Sequence, residues 1–169
     1  MRGKIWLMLV VVMGLMGCLR DVSWSWVDRE IGTQFPEVRS ISTDSLARWV
    51  SDSLRTPPLI LDVREADEYA MSHLPGAKHF PPGSAVEGLP LEVDVPIVVY
   101  CSVGYRSAVM AERMREVGFT NVHNLEGSIF KWANEGRQTV RAGSPVDEVH
   151  PYDAVWGKLL DASRRGSAK

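Results

Sequence analysis

Cysteine is nearly absent from this chain: there are two in 169 residues, Cys18 and Cys101, too few for a disulfide framework. The four histidines, His73, His79, His123 and His150, fall at no metal-ligand spacing, so no metal is expected. Basic charge is not in excess either. Nineteen Lys and Arg stand against 21 Asp and Glu, a formal net charge of -2 with no basic stripe, which excludes the usual nucleic-acid footprint. No apolar run reaches the ~20 residues of a bilayer-spanning helix, and no internal repeat or low-complexity tract is visible. What is present is a globular balance, 45% hydrophobic and 24% charged. The length suits one domain with a full core and is short for two.

The longest apolar run lies at the N-terminus. It follows the basic stretch Met1-Arg2-Gly3-Lys4, is broken before Met16 only by Gly14, and is closed by Arg20 and Asp21. A short apolar run behind a basic start is the pattern of a signal-peptide core. Leu15-Met16-Gly17-Cys18 resembles a bacterial lipobox. That resemblance implies a lipoprotein-type signal peptide over residues 1–17 and a lipidated Cys18. It also implies attachment to the membrane of the cell envelope, outside the cytoplasm on the periplasmic face. An uncleaved signal anchor or a plain secretion signal is the alternative. With Cys18 lipidated, Cys101 has no partner within the chain; a lone thiol in an oxidising compartment is either deeply buried or used.

Residues 18–37 read as the lipidated cysteine and a linker, with Trp24 and Trp26 alternating as on a half-buried strand; a lipid-surface or packing role for the two is equally open. From Val38 the rhythm becomes α/β. "VRSIS" is a short strand, and Ser42 or Thr43 caps a helix carrying Leu46, Trp49, Val50 and Leu54 at helical spacing. "LILDV" and "PIVVY" are continuous apolar strands of the kind buried on both faces. Between them come a short helix in "EADEYAMSHL", a turn at Pro75-Gly76, a brief edge strand in "AKHF" and a long loop. A helix from Ser107 to Val117 turns Ala108, Met110, Ala111 and Met114 inward, with Gly118 at its end. "NVHNL" is a further strand, and "GSIFKWANEG" a short amphipathic helix with Trp132 in the core. Alternating strands and helices predict a mostly parallel sheet of about five strands with helices on both faces. The domain is expected over residues 38–137. Residues 138–169 are expected as an extension that packs on it, beginning with a polar connector to residue 145 and ending in a frayed tail.

Cys101 stands where the apolar run Pro96–Tyr100 stops, at the carboxyl end of an expected parallel strand and before a helix, where open α/β sheets bind ligands. Backbone N–H groups of residues 102–107 can converge there, and the helix N-terminus adds positive potential. Gly104 allows a left-handed backbone, and Arg106 supplies a permanent cation. Together these lower a thiol pKa toward the thiolate, and such a thiolate can attack an electrophilic sulfur or phosphorus. A buried thiol that fills space at a strand end is the alternative for Cys101 taken alone.

Four segments in order carry a resemblance: "LDVREADEY", "SHLPGA", "CSVGYRS" and "NLEGSIFKW". Asp62, Arg64, Glu68, Tyr69, His73, Cys101, Gly104, Arg106, Ser107, Gly127 and Trp132 match the motifs, and the chain resembles a single rhodanese-like domain. The resemblance implies a sulfurtransferase. Cys101 would take sulfane sulfur from a donor such as thiosulfate, and the resulting persulfide would pass it to a thiol or cyanide acceptor. No cofactor is required. Cys101 and Arg106 are the catalytic candidates. Ser102, Val103, Gly104, Tyr105 and Ser107 are expected around the substrate, with Tyr105 either gating the pocket or facing solvent. Arg64 either meets substrate or forms a structural ion pair with Glu68. Asp62, Glu68 and His73 are expected as structural neighbours, His73 stabilising the turn that follows it. Two departures stand out: Ser102 where many members carry Arg, and Ser128 in place of a second Gly, expected to affect only a turn. Phosphatases and arsenate reductases of similar fold carry C-x5-R, whereas this chain has C-x4-R, the shorter sulfur-binding loop. A persulfide carrier or redox-sensing module with little turnover remains the alternative function, and phosphatase or arsenate reductase activity a third. Expected partners are a small sulfur-donor anion, a thiol or protein acceptor, and the membrane, for a monomeric protein.

Overall fold

The computed structural model describes residues 22–167; the expected signal peptide and Cys18 lie outside the described residues. Five strands form one parallel sheet: β1 (Arg39–Ile41), β2 (Leu59–Asp62), β3 (Lys78–His79), β4 (Ile97–Tyr100) and β5 (Val122–Leu125), in the spatial order β1-β5-β4-β2-β3. The two most apolar runs lie side by side within it, Leu59 against Ile97 through Asp62 against Tyr100. Buried on both faces, they need no polar alternation.

Side chains alternate across the sheet. Ile60, Val98, Tyr100 and Leu125 point to one face, where they meet helices α1 (Trp24–Gln34), α2 (Thr43–Ser51) and α5 (Ser128–Asn134). Leu61, Ile97, Val99, Cys101 and Val122 point to the other, against Met110, Ala111 and Met114 of α4 (Tyr105–Glu116). Helix α3 (Ala66–Met71) follows β2 and opens with a reciprocal capping box between Glu65 and Glu68. The expected α/β architecture, with helices on both faces of five parallel strands, is the one observed.

Four local expectations are corrected. The Trp24–Trp26 stretch is helical rather than extended. The Ser23 hydroxyl accepts from the Trp26 N–H at 3.3 Å, and Val27 lies buried one turn on from Ser23. Two tryptophans two apart are too short a window to separate the two periods. Helix α2 ends at Ser51, so Val50 is 45% exposed and Leu54, beyond its end, 98% exposed. The connector at 137–145 contains a hairpin of β6 (Thr139–Arg141) and β7 (Ser144–Val146), turned at Ala142-Gly143, both with positive φ. The tail is not frayed up to Gly166, whose N–H donates to the Val149 carbonyl at 2.9 Å, while Arg165 Nε donates to the Leu160 carbonyl at 2.9 Å.

After β7 the chain runs back across the domain through two 3-10 turns, Trp156–Leu159 and Ala162–Arg164, burying Val149, Leu159 and Leu160 in the same cluster as α1, α2 and α5. Asn134 of α5 fastens it, donating to the Leu159 carbonyl and accepting from the Asp161 N–H.

Candidate active site

Cys101 leaves the end of β4, the central strand, and is 1% exposed. Three residues later Gly104 takes φ 114° and ψ -12° as the cap of α4, a conformation side-chain-bearing residues rarely adopt. That turn aims the Gly104 N–H at Cys101 Sγ, 3.2 Å away. Helix α4 begins at Tyr105, two residues before its expected start, so Arg106 and Ser107 sit in its first turn. The Ser107 hydroxyl lies 3.5 Å from Sγ and 3.1 Å from the Gly104 carbonyl. The loop is braced from outside: Asn124 donates to the Gly104 carbonyl at 3.0 Å, and the Ile129 and Phe130 N–H groups donate to the carbonyls of Cys101 and Ser102.

Burial pushes the Cys101 thiol up. The Arg106 charge, with hydrogen bonds from Ser107 and Gly104, outweighs it and leaves the thiol below its ordinary range. A sulfur in this setting has the thiolate character that a nucleophile needs.

Arg106 is itself gripped. Its Nη1 donates to Glu68 Oε2 at 2.7 Å and its Nη2 to Glu68 Oε1 at 2.8 Å, a two-pronged pair, and Nη2 also reaches the Ser102 hydroxyl at 2.9 Å. Ser102 in turn donates to Glu68 Oε1 at 2.8 Å and is 3% exposed. Its side chain therefore ties carboxylate to guanidinium. Burial pushes the Glu68 carboxyl up, but the hydrogen bonds and charge of Arg106 more than offset it and hold the group below the usual carboxylate range.

For Arg64 the expected ion pair with Glu68 is corrected to one with Asp62. It is fully buried and bound to Asp62 through Nε at 2.9 Å and Nη2 at 2.6 Å, with Nη2 also on the Ser72 carbonyl. It does not hydrogen-bond Glu68, and its Nη1 has no partner among the described residues. Asp62 accepts in addition from the Tyr100 hydroxyl at 2.5 Å, which accepts from the Leu74 N–H. This network lies under the loop and holds the ends of β2 and β4 to the turn after α3. His73 turns back onto the helix before it, with Nδ1 3.1 Å from the Tyr69 carbonyl and its ring stacked on Tyr69. Val103 is 6% exposed and joins the core. Tyr105 is half-buried, edge-on to Phe35, with its hydroxyl donating to Gln34 Oε1 at 2.5 Å.

Two participants escaped sequence reasoning. Ser128, expected to affect only a turn, has φ 50° and accepts the Cys101 N–H on its hydroxyl at 3.1 Å, so it positions the Cys101 backbone. Its standing in place of a glycine was the available signal. Tyr152 lays its ring over the Arg106 guanidinium, 4.7 Å from Cζ to the centroid; nothing in the local sequence around Tyr152 announced that. Among the described residues no cluster of His, Cys, Asp and Glu is arranged to hold a metal ion.

Comparison with known proteins agrees with the geometry. The family model for the rhodanese-like domain matches residues 46–135. The chain is 31% identical over 74 residues to a thiosulfate sulfurtransferase, GlpE, of Pseudomonas paraeruginosa, covering 43% of this chain and 67% of that protein. It is 35% identical over 77 residues to a putative sulfur carrier protein, YrkF, of Bacillus subtilis, covering 45% and 42%. Among solved structures, a rhodanese-like domain protein of Staphylococcus aureus superposes with a TM-score of 0.51 at 31% identity, over 56% of this chain and 91% of that one. Against several curated relatives the match spans less than two thirds of the relative's length, 26% for one tRNA uridine(34) hydroxylase of Erwinia tasmaniensis.

Proposed function

The chain belongs to the rhodanese-like domain family, and from that premise we propose that it is a sulfurtransferase working through a persulfide on Cys101. The observation that carries this reading is the thiol itself: buried, held below its ordinary range, and met by the Gly104 N–H and the Ser107 hydroxyl at the end of a parallel strand. The Cys101 thiolate attacks the sulfane sulfur of a donor such as thiosulfate, and sulfite leaves with the electron pair of the broken S–S bond. A thiolate or cyanide then attacks the outer sulfur of the persulfide, and Cys101 departs as thiolate. Gly104 and Ser107 stabilise the sulfur anion at both stages, and Arg106 contributes its field. The working site requires no metal or organic cofactor. The protein is proposed to act as a monomer at the periplasmic face of the cell envelope, tethered through Cys18; the motif Leu15-Met16-Gly17-Cys18 behind an apolar run supports that address.

Mass spectrometry of the peptide bearing Cys101, after exposure to a sulfur donor, tests the proposal. The wild-type peptide is expected to gain the mass of one sulfur and to lose it to cyanide, and Cys101→Ser to do neither. Equal sulfur transfer by wild type and Cys101→Ser would overturn it. A carrier function is the second reading, favoured by the similarity to a putative sulfur carrier. It requires that the sulfur be discharged by a protein thiol and withheld from cyanide.

A further inference from the structure

Arg106 is the cation that acts on Cys101, and its surroundings leave it little to offer an incoming anion. Both oxygens of Glu68 and the Ser102 hydroxyl occupy one edge of the guanidinium. The Tyr152 ring covers a face, with the side chain only 26% exposed. Arg64, the other arginine near the loop, is sealed in with Asp62. Two guanidinium charges are thus matched by two carboxylates, and a thiolate at Cys101 makes the cup net negative. Thiosulfate, a dianion, would enter against that charge. A hydropersulfide, neutral or singly charged, needs only the N–H and O–H groups that already face Sγ.

Tyr152 stands out for two further reasons. Its φ of 66° lies in the left-handed region, where a bulky residue is strained. It also lies beyond residues 46–135, the stretch matched by the family model, in the segment that runs back after β7. The Tyr152 N–H donates to His150 Nδ1 at 3.0 Å, which holds this backbone in place. Tyr152 is 44% exposed, so core filling does not account for the strained placement, whereas contact with a cation does.

We propose that Tyr152 is a specificity-determining residue which, with Glu68, closes Arg106 to oxyanions, so that Cys101 takes its sulfur from a hydropersulfide in preference to thiosulfate. The inference rests on the sulfur-transfer reading above. In the step, Cys101–S⁻ attacks the terminal sulfur of R–S–SH. The R–S to S bond breaks with its electron pair on the leaving sulfur, which takes the proton, giving Cys101–S–S⁻ and R–SH.

The test measures the rate of sulfur loading on Cys101 in the purified chain, using glutathione hydropersulfide and thiosulfate as donors and free cysteine as the reference thiolate. The hydropersulfide-to-thiosulfate rate ratio is expected to exceed that of free cysteine about tenfold or more. Tyr152→Ala is expected to lower the protein's ratio about fivefold, and Tyr152→Phe, which keeps the ring on Arg106, to retain it. A wild-type ratio equal to that of free cysteine overturns the proposal, as does an unchanged ratio in a Tyr152→Ala protein with native circular dichroism. Loading from neither donor overturns the sulfur-transfer reading itself.

Discussion

Glu68 and Arg106 stand 38 residues apart in the chain, and their pairing sets both the charge of the cup and part of its stability. Because Arg106 holds the Glu68 carboxyl below its ordinary range, the folded pKa lies under the unfolded one. The pair's stabilisation is therefore fully present above ~4.3, the ordinary Glu value, and is lost as pH falls through the depressed folded value. Glu68→Gln leaves Arg106 without its counter-charge. At pH 7 this is expected to cost about 2–3 kcal/mol, less than for a sealed pair because the Arg106 side chain is 26% exposed. Urea midpoints of wild type and variant at pH 7 and pH 3 check this, and the gap between them should narrow at the lower pH. Asp62, Arg64 and Glu68 were all legible in the sequence as a charged group near the loop, but their pairing was not. Whether Arg64 turns toward Asp62 or toward Glu68 depends on rotamers and on the Ser72 carbonyl waiting for Nη2, and these are settled by packing.

Helix α4 owes its position to the turn before it. Gly104 has positive φ, and a Cβ there would lie 3.2 Å from Ile31 Cδ1 of α1. Gly104→Ala is therefore expected to destabilise the fold by about 1–2 kcal/mol from the backbone alone. It should also draw the amide away from Sγ, raising the pH midpoint for alkylation of Cys101 above that of wild type. Urea titration and iodoacetamide kinetics against pH measure the two effects. A glycine between Cys101 and the helix was visible in the sequence, whereas the approach of Ile31 was not. Helix α1 escaped because the alternation of Trp24 and Trp26 competes with the helical spacing of Val27 and Ile31 in a stretch otherwise polar. The β6–β7 hairpin escaped because its strands are three residues each and rich in polar side chains, with only Ala142-Gly143 to mark the turn.

At the scale of the molecule, the segments on either side of the family domain close around its loop. Ile31, Gln34 and Phe35 approach Gly104 and Tyr105 from the N-terminal side, and Tyr152 covers Arg106 from the C-terminal side. The C-terminal segment also buries Val149, Leu159 and Leu160. Each such aliphatic side chain is worth about 1.5–3 kcal/mol when buried, against the ~5–15 kcal/mol of a whole domain. A chain ending at Val146 is expected to lose at least ~3 kcal/mol after the ordering entropy of the removed segment is offset. Its urea midpoint, compared with that of the full chain, measures the loss. An unchanged midpoint would mean that the segment rests on the domain without supporting it.

The sequence by itself determined the parallel sheet, the strands and helices between residues 38 and 137, and the place of Cys101 at a strand end before a helix. Each of these is written in local patterns: apolar runs, capping residues, and the spacing of Cys101, Gly104 and Arg106. Tertiary structure alone decided that Arg106 belongs to Glu68, that Arg64 is sealed beneath the loop, that Ser128 holds the Cys101 backbone, and that Tyr152 lies on the guanidinium. These contacts join residues from 27 to 46 positions apart, or, for Arg64, depend on which way one side chain turns. No period or spacing along the chain encodes them. They follow from which faces the sheet brings together and from the requirement that every buried charge find a partner.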